Sequence, residues 1–199
     1  RSGASPDGRD SRGESPLHRL AGGATGTGTP GAEVATVLIL GGADVNATDP
    51  DGWTPLHATV GFGQLDVATV LVEAGANVHA GASFSAPPEH LPAGKDPSRW
   101  TRNRERDRRT SGVTPLHLTG FYISGLHSRP LEFARLLLDA GANPNVRTKH
   151  GSTPLDFART QVEFNHNWAA TVPAAWSVSE YREQWARADE RFPLFQRLM

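Results

Sequence analysis

One short pattern, written four times, constrains this chain more than anything else in it. Ser15-Pro16-Leu17-His18, Thr54-Pro55-Leu56-His57 and Thr114-Pro115-Leu116-His117 are followed by Thr153-Pro154-Leu155-Asp156. A glycine stands two residues ahead of each copy: Gly13, Gly52, Gly112 and Gly151. Each copy reads as a helix start. The hydroxyl residue is an N-cap that satisfies an orphan backbone N–H. Proline at the first helical position needs no donor there and already has a helical φ. Leucine then turns inward. A second signature follows three of the copies: Gly42-Ala43-Asp44-Val45-Asn46, Gly75-Ala76-Asn77-Val78-His79 and Gly141-Ala142-Asn143-Pro144-Asn145. Between the two signatures lie Val34, Val37 and Leu38, then Val67, Val70 and Leu71, then Phe133, Leu136 and Leu137. Spacing of i, i+3, i+4 is one stripe of an α-helix. Gly42, Gly75 and Gly141 fall where a helix stops in the left-handed conformation. Each unit is therefore a cap, a short helix, a turn, a second helix, a glycine stop and a polar connector.

This order of motifs resembles the ankyrin repeat, whose signature is Thr-Pro-Leu-His at a 33-residue period. The resemblance covers about residues 3–160. It implies an all-α solenoid of paired antiparallel helices with hairpin connectors, whose concave face meets partner proteins. It also implies that His18, His57 and His117 are structural, bonding to their caps and to neighbouring backbone.

The spacing departs from that period in a patterned way. Gly13 to Gly52 is 39 residues, Gly52 to Gly112 is 60 and Gly112 to Gly151 is 39. In the first and third units the additional residues fall between the helices, at Gly22–Gly31 and Tyr122–Pro130. In the second they fall in the connector, between Ala80 and Gly112. The division that follows is a tail of a preceding repeat (1–12), a repeat with an inter-helix insertion (13–51), a repeat of ordinary spacing (52–81) and a long basic connector insert (82–111). A second repeat with an insertion (112–150) comes next, then a partial repeat with an atypical C-terminal cap (151–199). The tail is recognised because Gly3-Ala4-Ser5-Pro6-Asp7 aligns with Gly141-Ala142-Asn143-Pro144-Asn145. In the last segment Ser177-Val178-Ser179-Glu180 reads as a capping box that opens a helix with Tyr181, Trp185 and Ala188 on one face. Arrays need such an atypical terminal unit.

Little else carries chemistry. The chain holds no cysteine, which removes disulfides, thiol nucleophiles and cysteine-ligated zinc. Gly26-Thr27-Gly28-Thr29-Pro30-Gly31 matches a dinucleotide string, but a helix precedes it where a strand is required. Glu163 and His166 have the spacing of a helical metal pair, yet such sites need further carboxylates. The expectation is a non-enzymatic module with no cofactor and no metal. No apolar run is long enough for a membrane span. The polar stretch Arg1–Arg12 shows no targeting signal, so the default expectation is a cytoplasmic monomer. Formal net charge is −1, so the chain as a whole has no pull towards nucleic acid.

The expected partner is a protein. The position after the connector glycine and the end of the first helix project towards it in the family, which selects Trp53, Val113, Phe62, Phe121 and Tyr122. Trp53 is the expected main anchor, because its register mates Glu14, Val113 and Ser152 share no residue type. Asp51, Lys149 and His150 form a polar rim at the connector tips. Two alternatives stand beside this reading. The insert carries Arg102, Arg104, Arg106, Arg108 and Arg109, a contact for a polyanion or nucleic acid, and its length predicts a mobile segment. The other alternative is a regulatory or targeting part of a longer enzyme.

Overall fold

The computed structural model describes residues 5–23, 31–83, 111–122, 129–169 and 178–199, with side chains left aside at 164–169 and 178–185. Its helices pair unit by unit. The first helices are α1 (Pro16–Ala21), α3 (Pro55–Phe62), α5 (Pro115–Phe121) and α7 (Pro154–Ala169). The second helices are α2 (Gly31–Leu40), α4 (Leu65–Glu73) and α6 (Pro130–Asp139), and α8 (Val178–Leu198) closes the chain. First helices pack on first helices, α1 on α3, α3 on α5 and α5 on α7; α2, α4 and α6 form the second layer. The result is an all-α solenoid two helices deep, as the repeats imply.

The core is the seam between the layers. Leu17, Leu56 and Leu116, the third residue of each motif, are buried, as are Val67, Leu71, Phe133 and Leu137 from the second helices. Gly120 marks the tightest approach: a Cβ there would stand 2.3 Å from the Pro154 carbonyl oxygen, so α5 and α7 meet backbone to backbone.

The second helices stop as their glycines predict. Gly42, Gly75 and Gly141 have φ of 92°, 88° and 89°. In each case the glycine N–H and the N–H after it turn back onto carbonyls of the last turn, as in Gly75 to Val72 and Ala76 to Leu71. That is the Schellman closure. A Cβ at these three positions meets nothing within 4 Å, so the left-handed backbone alone requires glycine.

One apolar stripe is misassigned by periodicity. Val37 is 68% exposed, whereas its register mates Val70 and Leu136 are half-buried. Those two lie on helices with a neighbour on either side, while among the described residues α2 has α4 as its neighbour in the layer. The first unit thus leaves Val37 uncovered.

Residues 5–13 stand against the first connector loop as that loop stands against the next. The Asp7 carboxylate accepts the Asp44 N–H at 2.9 Å, as the Asn46 carboxamide accepts the Asn77 N–H at 2.7 Å. At the other end α8 begins one residue after the expected cap, Ser177, which lies outside the described residues. Ala188 is buried; the side chains of Tyr181 and Trp185, expected on the same face, lie outside the described set.

The connector of the second unit closes on itself. β1 (Ala82–Ser83) pairs antiparallel with β2 (Ser111–Val113), Ala82 opposite Val113 and Ser83 opposite Ser111. Residues 84–110 leave and return through this two-stranded base and lie outside the described residues.

Candidate partner-binding surface

The surface is built on a column of histidines that fixes the first helices. Each cap residue offers its backbone N–H to the Nδ1 of the histidine three residues on: Ser15 to His18 at 3.2 Å, Thr54 to His57 at 3.1 Å, Thr114 to His117 at 3.1 Å. The cap hydroxyls stand 2.8, 2.9 and 3.0 Å from the same nitrogens. The opposite ring nitrogen faces a carbonyl of the following unit. His18 Nε2 lies 2.9 Å from the Trp53 carbonyl, His57 Nε2 3.1 Å from that of Val113, and His117 Nε2 3.1 Å from that of Ser152. A carbonyl only accepts, so Nε2 carries the proton and Nδ1 is the acceptor. Each imidazole is a neutral bridge from its own cap to the next repeat. Burial, opposed by hydrogen bonds to backbone, pushes the His57 pKa down to about 4. Burial lowers that of His117 as well.

The fourth unit has no such bridge. Asp156 accepts the Thr153 N–H at 2.9 Å and the Thr153 hydroxyl at 2.8 Å. Those two bonds hold its carboxyl below the ordinary range.

The column places the expected contact residues, and it divides them. Phe62, the last residue of α3, is 53% exposed. Its ring passes beside Gly22, where a Cβ would lie 3.8 Å from it. Phe121 is half-buried and meets Tyr122 edge to face at 5.1 Å. Asp51, Lys149 and His150 are exposed at the connector tips. The tips are also tied from unit to unit, with the Ser83 N–H on the Asp51 carbonyl and the Lys149 N–H on that of Ser111, both at 2.9 Å.

Two of the expected surface residues are core. Tyr122 is 5% exposed and Val113 1% exposed. The Tyr122 hydroxyl end lies against Gly61, where a Cβ would stand 3.4 Å from its oxygen, so the ring fills the space a side chain in α3 would need. Val113 is buried because β2 pairs it with Ala82, a partner about 30 residues earlier that its own sequence neighbourhood does not reveal.

Trp53 is shared between surface and fold. It is half-buried, its ring tilted against His57 with centroids 5.6 Å apart. Its indole N–H donates to the Ser83 carbonyl at 2.8 Å, which holds β1 in place. Variation among its register mates signals a special role here, but that role is partly architectural. Arg102, Arg104, Arg106, Arg108 and Arg109 lie outside the described residues, as do the side chain of His166 and most of the Gly26–Gly31 string. Among the described residues no group of three or more His, Cys, Asp or Glu is placed to hold a metal ion, and no helix is long and apolar enough to cross a membrane.

Family models match this arrangement. The model for three copies of the ankyrin repeat covers residues 2–82, and that for a single ankyrin repeat covers residues 111–149. The chain is also similar to Rabankyrin-5 of Homo sapiens, 35% identical over 127 residues, and to Rabankyrin-5 of Mus musculus, 32% identical over 129. Each match covers 61% of this chain and 9% of the relative. Repeats, caps, glycine stops and family models agree: the chain belongs to the ankyrin repeat proteins, whose repeats are generally modules of protein–protein interaction.

Proposed function

We propose that this chain is a non-enzymatic binding module whose partner protein lies against the side formed by the connector tips and the first helices. Phe62 carries the reading. It is a large aromatic ring more than half exposed at the end of a first helix, in a chain with only eight phenylalanines. Its register mates are Gly23, the buried Tyr122 and Gln161, so the position keeps no one residue type, and among them Phe62 is the ring that stays exposed. Exposed aromatics anchor interfaces because they bury much area at small entropic cost. Phe121 and the outer part of Trp53 extend the apolar contact, and Asp51, Lys149 and His150 supply a polar rim.

The experiment is affinity capture from the native source with the whole chain and with Phe62→Ala in parallel. Loss of a central aromatic commonly costs about 2 kcal/mol of binding, so the variant retains less than about a tenth of the captured protein at limiting concentration. Its melting temperature stays close to that of the parent, because the ring is exposed. Equal capture by the two chains rules out Phe62 as the anchor.

A further inference from the structure

The last outer helix of the array and the C-terminal helix leave a groove between them. Phe195 is fully buried and Ala188 nearly so, which seats α8. Leu194, next in sequence to Phe195, turns the other way and remains 47% exposed. With Leu131 of α6 and Leu198 of α8 it forms the apolar floor of a groove of about 360 Å³. Arg135, one helical turn beyond Leu131, and Arg197 line it as well, together with Glu132.

The charges around this floor are unequally answered. Glu132 is met by Arg129 at 3.2 Å. Arg135 and Arg197 are exposed, and neither forms an ion pair among the described residues. An apolar strip flanked by two guanidinium groups that have no ion-pair partner among the described residues is complementary to an apolar strip flanked by carboxylates. Leu194 and Leu198 stand one turn apart, the spacing at which a helix laid in a groove presents its own anchors. The chain's own insert is an unsuitable occupant, since its Arg99–Arg109 stretch repeats the charge of the walls.

We propose that the groove between α6 and α8 binds an amphipathic helical segment of a partner protein, with apolar residues one turn apart entering the groove and Asp or Glu beside them meeting Arg135 and Arg197. This site is separate from the surface around Phe62.

The test is panning of a display library of helix-forming peptides against the whole chain. The enriched peptides carry paired apolar residues one turn apart with acidic neighbours. Their affinity falls at least about tenfold in the double variant Arg135→Glu, Arg197→Glu, whose circular dichroism and melting match the parent. Lysine in place of the acidic residues of the peptide restores binding to that variant. Leu194→Asp also abolishes binding, and Phe62→Ala leaves it unchanged. Enrichment without acidic residues, or affinity retained in the double variant, overturns the proposal. So does binding lost in Phe62→Ala alone, which assigns the peptides to the other surface. Self-association of the chain in sedimentation that disappears in the double variant gives the groove to a second copy and also overturns it.

Discussion

The first and second repeats are joined through an ordinary connector, and the second and third across residues 84–110. The two joints are nevertheless built alike. At one, His18 reaches a carbonyl 35 residues on at 2.9 Å; at the other, His57 reaches a carbonyl 56 residues on at 3.1 Å. First helices pack on first helices at both, and the glycine two residues ahead of the incoming cap, Gly52 or Gly112, has a φ of 82° or 83°. What differs is cover. The His57 side is sealed by the Trp53 ring and by β1 paired with β2, features tied to the insert. A repeat joint is therefore set by the cap, the histidine and the leucine at the start of the helix. The length of chain between two caps enters only through what it adds on top.

The largest expected effect strikes the sealed joint. His57→Ala removes a fully buried ring, leaves the Thr54 N–H and the Val113 carbonyl without their partner and opens a cavity. A cost of about 3 kcal/mol or more follows from the unsatisfied groups and the lost packing. His18→Ala, at the less sealed joint, costs less. Chemical denaturation of the two variants measures the difference, and equal losses break the claim that the insert's hairpin adds cover.

Acid titration tests the same joint without mutation. The folded pKa of His57, about 4, lies below the ordinary 6.5, chiefly through burial. Between those values the unfolded chain binds the additional proton, so stability is full above about pH 6.5 and declines as pH falls towards 4. A tenfold difference in proton affinity between the folded and unfolded chain is worth about 1.4 kcal/mol, so the loss is on the order of 3 kcal/mol. His117 acts in the same direction. Denaturation midpoints at several pH values report it. In His57→Ala the slope shallows; an unchanged slope means the titration belongs elsewhere.

Gly75→Ala affects the end of a second helix rather than a joint. The φ of 88° costs a non-glycine residue about 1–2 kcal/mol, although the space beside it is open. Gly42→Ala, at the uncovered first unit, gives the same value if the stop is purely local. A much smaller loss there shows that the first helical pair yields as a unit of its own.

The smallest effect sharpens the comparison most. Replacing residues 84–110 with about eight Gly and Ser residues shortens a closed loop roughly threefold, which raises stability by about 1 kcal/mol or less. A pronounced fall in melting temperature contradicts the claim that the joint is independent of the insert.

Much of this architecture is legible in the sequence because its causes are local. A cap hydroxyl, a proline and a histidine three residues from the cap act within one turn, and Gly42, Gly75 and Gly141 stop helices that their own neighbours define. What is illegible depends on distant partners. Val37 resembles Val70 in pattern and differs only in having fewer neighbours. Val113 is buried by Ala82, across the whole insert. Tyr122 is buried against Gly61, and Trp53 varies among its mates because it ties down Ser83. The groove lined by Arg135 and Arg197 involves α8, which has no counterpart in the repeats, so periodicity carries no information about it.

The histidine column also has a direction. Each Nε2–H points forward, from one unit to the backbone of the next, so the stack grows like a polymer with a reactive end. Asp156 changes that chemistry. Held ionised by the bonds from Thr153, its carboxylate closes its own cap as well as a histidine does, yet it has no proton to offer a carbonyl beyond. In the language of chain growth, His18, His57 and His117 are propagating links, and Asp156 keeps the inward half of the link while giving up the donor that makes the forward half.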